Sequence, residues 1–342
     1  MLRPLARRLT LLLGLAVLFG VAAAQSQVVN VYSARHYDSD EVLYDRFEEL
    51  TGITVNIIEG DSDELLSRIL SEGANSPADL FITVDAGRLW RAEQEGVLQG
   101  VDSPVLNDVL PEALRHPDGL WFGLTQRVRG IVYAPDRVEP GEVTTYEDLA
   151  GAAFEGRVCI RSSSNIYNQS MMASLIASVG PEAAEAWAEG IVANMARAPQ
   201  GGDTDQIRAV AAGECDVAVV NHYYLARLMA SDDPADQAVA DAVAWLFPNQ
   251  DGRGVHVNIS GAGVVATAPN YANAVRLLVY MTSPAAQELF AGSNNEYPAV
   301  EGAEPSEETA SFGDFVSDAV NVSLYGENNP EAVRIFDRAG WR

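Results

Sequence analysis

The chain has 342 residues, which is long enough for two domains of ordinary size. It carries 22 basic and 48 acidic side chains, a formal net charge of −26, so it lacks the basic face that a nucleic-acid partner requires. The sequence contains no lysine. A Walker A phosphate loop, a pyridoxal Schiff base and a Ser-x-x-Lys nucleophile each need a lysine, and all three are therefore excluded.

The first 24 residues have the pattern of a secretory signal peptide. Three arginines precede an apolar stretch at 11–21, and three alanines at 22–24 stand before Gln25. A membrane anchor would need about 20 apolar residues, more than this stretch offers. We therefore expect residues 1–24 to be removed and the mature protein to be periplasmic. No later segment could span a bilayer, so we expect no stable membrane insertion.

Short apolar runs alternate with helical patterns along the mature chain. Such alternation predicts an α/β fold in which mostly parallel sheets are flanked by helices. The predicted strands span 28–32, 53–58, 78–83, 157–161 and 215–220, with extended, glycine-punctuated sequence at 255–267. The predicted helices span 40–50, 63–71, 87–94, 167–178, 182–194, 204–212, 271–280 and 285–291.

Tyrosines recur where a predicted strand passes into a predicted helix. Tyr37 follows the first strand, Tyr167 follows the strand at 157–161, and Tyr223 and Tyr224 follow the strand at 215–220. Ligands of open parallel sheets bind beyond the carboxyl ends of the strands, where these junctions lie. One such tyrosine alone would be explained by packing, but three junctions with the same feature predict four phenols around one crevice.

Four phenol oxygens around one point suit a small, hard and highly charged cation. Hard cations prefer oxygen ligands, and a bound metal ion can deprotonate a ligand whose free pKa is high. A phenol with a pKa of about 10 needs a stronger Lewis acid than calcium, and ferric iron fits. Four phenolates around Fe3+ leave one negative charge, so we expect an arginine close by.

Four segments of the chain resemble the periplasmic ferric-iron-binding proteins of ABC transporters, most of all their cyanobacterial-type branch. The likeness covers nearly all of the mature chain, and the paired tyrosines with the Asn-Ile-Tyr-Asn-Gln run are its most specific part. The segments are YSARHYDSD, CIRSSSNIYNQS, GDTDQIRAVAAGECDVAVVNHYYLARL and HVNISGAGV.

The resemblance implies which residues hold the iron. The ligand tyrosines of the family fall on Tyr37, Tyr167, Tyr223 and Tyr224, and its histidine falls on His36, which either binds the metal or flanks it. Arg127 matches a family position near the metal. Arg227 lies one helical turn beyond Tyr223 on the same face, which makes it a second candidate to balance charge behind the ligands. Some relatives add a bound anion such as carbonate, or a glutamate that the segment at 59–61 does not match cleanly.

The resemblance also implies the architecture and the partners. We expect a two-lobed periplasmic binding protein of type II with a central cleft, in which residues 26–125 and 255–302 form lobe one and residues 126–254 and 303–342 form lobe two. The chain would cross between the lobes near Gln126 and Arg253, and these crossings would form the hinge. The protein would act as a monomer that hands Fe3+ to an ABC permease and its ATPase subunit.

The two cysteines, Cys159 and Cys215, lie in an exported protein without Cys-x-x-Cys spacing. The oxidising compartment favours a disulfide, and two separate buried thiols are the alternative. If the strands that lead to Tyr167 and Tyr223 lie close together, a Cys159–Cys215 bond would tie them.

Two other functions compete with iron binding. A protein of the same fold could capture an organic or anionic solute, with the amides of the strand-to-helix junctions and Ser162–Ser164 as its cradle at a helix N-terminus. An exported hydrolase is the rival from another class, but neither a Gly-x-Ser-x-Gly nor a His-Glu-x-x-His pattern occurs. We therefore expect a carrier and not an enzyme.

Overall fold

The computed structural model describes residues 27–35, Tyr37 and residues 39–342, without the side chain of Ser39. The signal peptide predicted at 1–24 lies outside these residues. The ten strands of this part are β1 (Val28–Ser33), β2 (Thr54–Glu59), β3 (Leu80–Val84), β4 (Leu98–Gln99), β5 (Phe122–Tyr133), β6 (Val158–Cys159), β7 (Val217–Asn221), β8 (Ala244–Leu246), β9 (Val257–Val265) and β10 (Tyr297–Pro298).

Helices surround the strands in the order that the alternating sequence predicts. They are α1 (Ser39–Thr51), α2 (Ser62–Glu72), α3 (Ala86–Gln94), α4 (Pro104–Val109), α5 (Ile166–Val179), α6 (Pro181–Asn194), α7 (Asp203–Ala212), α8 (His222–Met229), α9 (Pro234–Asp241), α10 (Tyr271–Met281), α11 (Pro284–Phe290), α12 (Glu307–Ala310), α13 (Leu324–Glu327) and α14 (Asn329–Ala339). Each element predicted from the sequence is present, with ends that differ by at most two residues. The predicted α/β class is confirmed.

The strands form one mixed, curled sheet with the order β2-β1-β3-β9-β5-β7-β6. Strand β1 pairs in parallel with β2 and β3, and β6 pairs in parallel with β7. The central pairs β3·β9, β9·β5 and β5·β7 are antiparallel, so the sheet is mixed and not mostly parallel as predicted, because β5 and β9 run against the strands of the alternating units. The carboxyl ends of β1 and β7, and the segment that follows β6, all lead to residues of the candidate site.

Strand β5 is the element that joins the two parts of the sheet. Its first half, from Phe122 to Val128, pairs with β9, and its second half, from Arg129 to Tyr133, pairs with β7. Ten of its 12 residues are buried, as expected for a strand with neighbours on both edges. It is not among the strands predicted above, although it carries Arg127.

The C-terminal segment contacts both parts of the sheet. Before α13, the side-chain amide of Asn321 donates to the carbonyl oxygen of Glu112 at 2.7 Å. The hydroxyl of Tyr325 in α13 donates to the carbonyl oxygen of Val257 in β9 at 2.8 Å. Beyond α14, the indole N–H of Trp341 donates to the carbonyl oxygen of Arg161 at 3.0 Å. The end of the chain therefore connects, through hydrogen bonds, the β9 region and the segment that leads into α5.

The predicted disulfide is present. Cys159 at the end of β6 is bonded to Cys215 just before β7, with 5.9 Å between their Cα atoms and a sequence separation of 56. A loop of this length constrains the unfolded chain by about 4 kcal/mol in the chain-entropy account. The bond ties the two segments that lead to Tyr167 and to the tyrosine pair. In the part of the chain that the structure covers, no helix has the length and apolar character needed to cross a membrane.

Candidate metal centre

The predicted tyrosines lie at three junctions between a strand and a helix. Helix α5 begins after Asn165, whose side chain accepts a hydrogen bond from the backbone N–H of Tyr167 at 3.0 Å and so caps the helix. Tyr223 and Tyr224 lie in the first turn of α8, directly after β7. Tyr37 stands between β1 and α1. His36 lies outside the described residues, so its predicted role, as a ligand or as a residue that flanks the metal, is not tested.

Three of the phenols meet beside Arg127. The guanidinium Nη2 of Arg127 donates to the hydroxyl of Tyr167 at 3.1 Å and also to the hydroxyl of Tyr223. The rings of Tyr223 and Tyr224 stack at a tilt with their centroids 4.6 Å apart, and both side chains are hydrogen-bonded to Tyr167. The structure thus brings together phenols from two junctions that are more than 50 residues apart in sequence.

Arg227 connects the fourth phenol to this group. Its guanidinium carbon lies 5.2 Å from the ring centroid of Tyr37, 5.0 Å from that of Tyr223 and 5.8 Å from that of Tyr224. A cation at these distances is attracted by the faces of the rings. All four predicted tyrosines and both predicted arginines therefore lie in one cluster, which we call the tyrosine cluster.

A buried chain of charges that the sequence did not reveal supports the tyrosine cluster. Glu296, which precedes β10, accepts hydrogen bonds from Nη1 of Arg127 and, at 2.8 Å, from Nη1 of Arg35. Thr125 donates to the same carboxylate at 2.5 Å. Arg35 continues the chain to Asp40, whose carboxylate lies 3.0 Å from its Nε. All of these side chains are buried, so each charge is compensated by a neighbour and not by water.

The pKa values of this charge chain follow from burial and from the neighbouring ions. Burial alone would raise the pKa of Glu296, but Arg35, Arg127 and the hydroxyl of Thr125 lower it to about 2. The same pairing, with Asp40 and Glu296, raises the pKa of Arg35 despite its burial. Glu296 is therefore ionised at neutral pH, and both arginines stay charged.

The phenols of the tyrosine cluster differ in the direction in which their pKa values are shifted. Burial would raise the pKa of Tyr167, but Arg127 and the hydrogen bonds with Tyr223 and Tyr224 lower it below 10. The pKa of Tyr223 is raised well above its ordinary value, first by complete burial and then by the other phenols, although Arg127 acts against this. Burial and Tyr167 likewise raise the pKa of Tyr224. A strong Lewis acid is needed to ionise all of them together.

Two histidines near this region have structural roles. His222 is completely buried, and its ring packs on Tyr297 with 4.7 Å between the centroids. Burial lowers the pKa of His222 to about 4 and that of His256 to about 3, so both rings are neutral at neutral pH. Among the described residues, no group of three or more His, Cys, Asp or Glu side chains is arranged to hold a metal ion.

Replacement of Glu296 by glutamine should destabilise the fold because it leaves Arg127 and Arg35 without their shared carboxylate. The loss should be about 3–5 kcal/mol in urea unfolding at pH 7. The folded-state pKa of about 2 lies below the ordinary value of 4.5. The ion pairs therefore stabilise the fold above pH 4.5, and about 3 kcal/mol is lost as the pH falls toward 2.

The Glu296→Gln variant should lack this acid-dependent loss. The matched control is Glu49→Gln, which removes an exposed ion pair with Arg46 and should change the free energy of unfolding by less than about 1 kcal/mol. Equal urea midpoints for wild type and Glu296→Gln across this pH range would contradict the role given to the carboxylate.

Comparison with known proteins places the chain in a family. Residues 75–316 match the family model described as bacterial extracellular solute-binding protein. The chain is 52% identical over 318 residues to iron uptake protein A1 of Synechocystis sp., which covers 93% of this chain and 88% of that protein. It is also 27% identical over 325 residues to the Fe(3+)-binding periplasmic protein of Serratia marcescens, covering 94% and 93%.

Solved structures agree with these sequence matches. The Trichodesmium protein FutA (IdiA), in complex with iron and citrate, is 55% identical, with a TM-score of 0.91 over 92% of this chain and all of that one. The ferric binding protein from Campylobacter jejuni is 42% identical, with a TM-score of 0.84 over 92% of this chain and all of that one. The predicted two-lobed fold of type II periplasmic binding proteins is confirmed. The chain belongs to the bacterial extracellular solute-binding proteins, in their branch of periplasmic ferric-iron-binding proteins.

Proposed function

We propose that the protein binds Fe3+ through the phenol oxygens of Tyr37, Tyr167, Tyr223 and Tyr224 and carries it to an ABC permease. The observation that carries this proposal is the convergence of these four phenols, from three junctions, around two arginines. The names of the relatives, which specify iron uptake and ferric iron, support the same cargo.

The charges around the tyrosine cluster suit phenolate ligands. Four phenolates and Fe3+ together carry one negative charge. Arg127 and Arg227 face the phenols, and the guanidinium carbon of Arg161 lies 5.3 Å from the ring centroid of Tyr167. This surrounding positive charge favours deprotonated tyrosines, which a hard cation of high charge such as Fe3+ can bind.

The site would lie between the two lobes. We assign residues 26–125 and 255–302 to lobe one and residues 126–254 and 303–342 to lobe two, with Tyr37 on lobe one and the other three tyrosines on lobe two. The change of partner along β5 supports a crossing close to the expected Gln126, at Val128–Arg129. Iron would bind first to the three tyrosines of lobe two and then favour the closed state through Tyr37.

Transport would involve further components. We infer that the mature protein works in the periplasm as a monomer and that an ABC permease with its ATPase subunit receives the iron. The name of the Serratia relative, a Fe(3+)-binding periplasmic protein, supports this location. A synergistic anion such as carbonate could complete the shell, and His36 stands beside Tyr37 in sequence as a further ligand candidate.

An organic or anionic solute is the less favoured cargo. The hydroxyls that would cradle an anion are engaged with each other, since Ser162 Oγ and Ser164 Oγ lie 2.9 Å apart and the N–H of Ser164 donates to Ser162 Oγ at 3.2 Å. The convergence of four phenol oxygens, which bind a hard cation once they are deprotonated, also favours iron over an anion.

Addition of ferric citrate to the iron-free protein should produce a visible absorption band from charge transfer between tyrosinate and iron. The band should saturate at one iron per chain, because the four tyrosines proposed as ligands form a single cluster. A titration followed by absorption measures the band. Iron analysis of the desalted protein then gives the number of iron ions per chain. A protein that stays colourless and iron-free after loading would refute the ferric site.

Removal of ligands from the two lobes should have unequal effects. Tyr37→Phe should weaken iron binding by a factor of about ten or more and retain part of the band, since three phenols remain on lobe two. Tyr223→Phe combined with Tyr224→Phe should abolish the band. The matched control is Tyr280→Phe, in a helix where the ring contacts Phe47 and not the cluster. The proposed order of binding is wrong if Tyr37→Phe loses all colour while the double variant keeps it.

A further inference from the structure

Arg129 organises a layer of polar side chains directly behind the tyrosine cluster. It is completely buried, with a fractional exposure of 1%. Its Nη1 donates to Oδ1 of Asn221 at 2.9 Å and to Oδ2 of Asp203 at 3.2 Å, and its Nη2 donates to Oδ1 of Asn168 at 2.7 Å. The guanidinium therefore holds side chains from β7, α7 and α5 in one plane of donors and acceptors.

The orientation of the Asn221 side chain is fixed by this arrangement. A guanidinium can only donate, so the carboxamide oxygen of Asn221 must face Arg129. The carboxamide nitrogen then faces the other way and donates to the hydroxyl oxygen of Tyr223 at 2.9 Å. The backbone N–H of Asn221 donates to Oδ2 of Asp203 at 2.9 Å, which fixes the main chain as well. Asn221 is 3% exposed, so water does not compete for these bonds.

Asn221 stands at a helix N-cap but does not act as a cap. An asparagine there ordinarily accepts a hydrogen bond from a backbone N–H in the first turn, which contributes about 1 kcal/mol. Asn165 does so at the start of α5, where its side chain accepts from the N–H of Tyr167. The side chain of Asn221 makes no such bond to α8. Its polar atoms are hydrogen-bonded to Arg129 and Tyr223 instead.

We propose that Asn221, locked by Arg129, is a positioning residue for the iron ligand Tyr223, an inference that rests on the proposed ferric site. The oxygen of Tyr223 receives one hydrogen bond from Asn221 and a second from Arg127. These two donors occupy two of the three directions on that oxygen. In the iron-free protein the third direction holds the phenol's own proton, which is available for the hydrogen bond with Tyr167. In a phenolate that direction is free for the metal. The pair of donors thus determines where the iron must sit relative to Tyr223.

The substitution Asn221→Asp tests this role. Aspartate keeps an oxygen toward Arg129 but replaces the N–H that points at Tyr223 with a second acceptor. In the iron-free protein the hydroxyl of Tyr223 can donate to this carboxylate, so the chain should remain folded. In the loaded protein a phenolate would face a carboxylate. Asn221→Leu provides a neutral second variant, which removes the donor without adding charge.

The matched control is Asn165→Asp. This asparagine also precedes a ligand tyrosine by two residues, but its described side-chain contact is the cap, which aspartate makes equally well. Three quantities should be measured for each variant: thermal unfolding of the iron-free form, iron affinity in competition with citrate, and the wavelength of the tyrosinate-to-iron band. A residue that only supports α8 would change the first quantity and leave the band in place.

We expect Asn221→Asp to weaken iron binding by at least about tenfold, because a hydrogen bond to a charged group is lost. The band should move to longer wavelength in both Asn221 variants, since a phenolate that receives one hydrogen bond fewer is a stronger electron donor to the metal. Asn165→Asp should keep the wild-type affinity and wavelength. If the wild-type protein shows no band, both the proposed ferric site and the role of Asn221 are refuted. A coloured wild type whose Asn221 variants keep its affinity and wavelength would overturn the role of Asn221 alone.

Discussion

The structure of the site depends on one buried guanidinium. Arg127 donates to the carboxylate of Glu296 on one side and to the phenols of Tyr167 and Tyr223 on the other. A cation with a fractional exposure of 2% must be compensated by the protein, and Glu296 provides one part of this compensation. The positive charge of Arg127 also lowers the pKa of Tyr167 and so favours a phenolate beside it. Several phenolates close together require a metal ion of high charge.

Strand β5 places the guanidinium of Arg127 at the site. Arg127 and Arg129 are two residues apart on a strand, so their side chains point to the same face. Arg127 reaches the phenol oxygens of Tyr167 and Tyr223, and Arg129 reaches the asparagines behind them. Because β5 changes its partner from β9 to β7 between these two residues, the cluster lies where the two parts of the sheet meet. Tyr37 comes to this place from β1, and the other tyrosines come from the β6–α5 and β7–α8 junctions.

The tyrosines could be predicted from the sequence because each follows a strand that local patterns identify. The carboxyl ends of such strands converge in an open sheet, so order along the chain was enough to place the phenols together. The bond between Cys159 and Cys215 followed from the same local strands. Strand β5, which joins the two parts of the sheet, was harder to predict. The polar residues Gln126, Arg127 and Arg129 interrupt its apolar pattern.

The charge chain could not be predicted for a different reason. Arg35 and Glu296 are 261 residues apart, and each looks like an ordinary surface charge in its own segment. Only the fold shows that both are buried and that they compensate each other. The same holds for Asn221, which resembles a helix cap in the sequence and differs from Asn165 only in what its side chain contacts.

The most direct test of a ferric site held by phenols and balanced by Arg127 is a crystal structure of the iron-loaded protein with anomalous data at the iron edge. The account predicts a single iron peak within bonding distance of the oxygens of Tyr37, Tyr167, Tyr223 and Tyr224. The guanidinium of Arg127 should contact the ligand oxygens without contacting the metal. An iron peak at surface carboxylates away from these phenols, or a cleft that holds an organic solute and no iron, would contradict it.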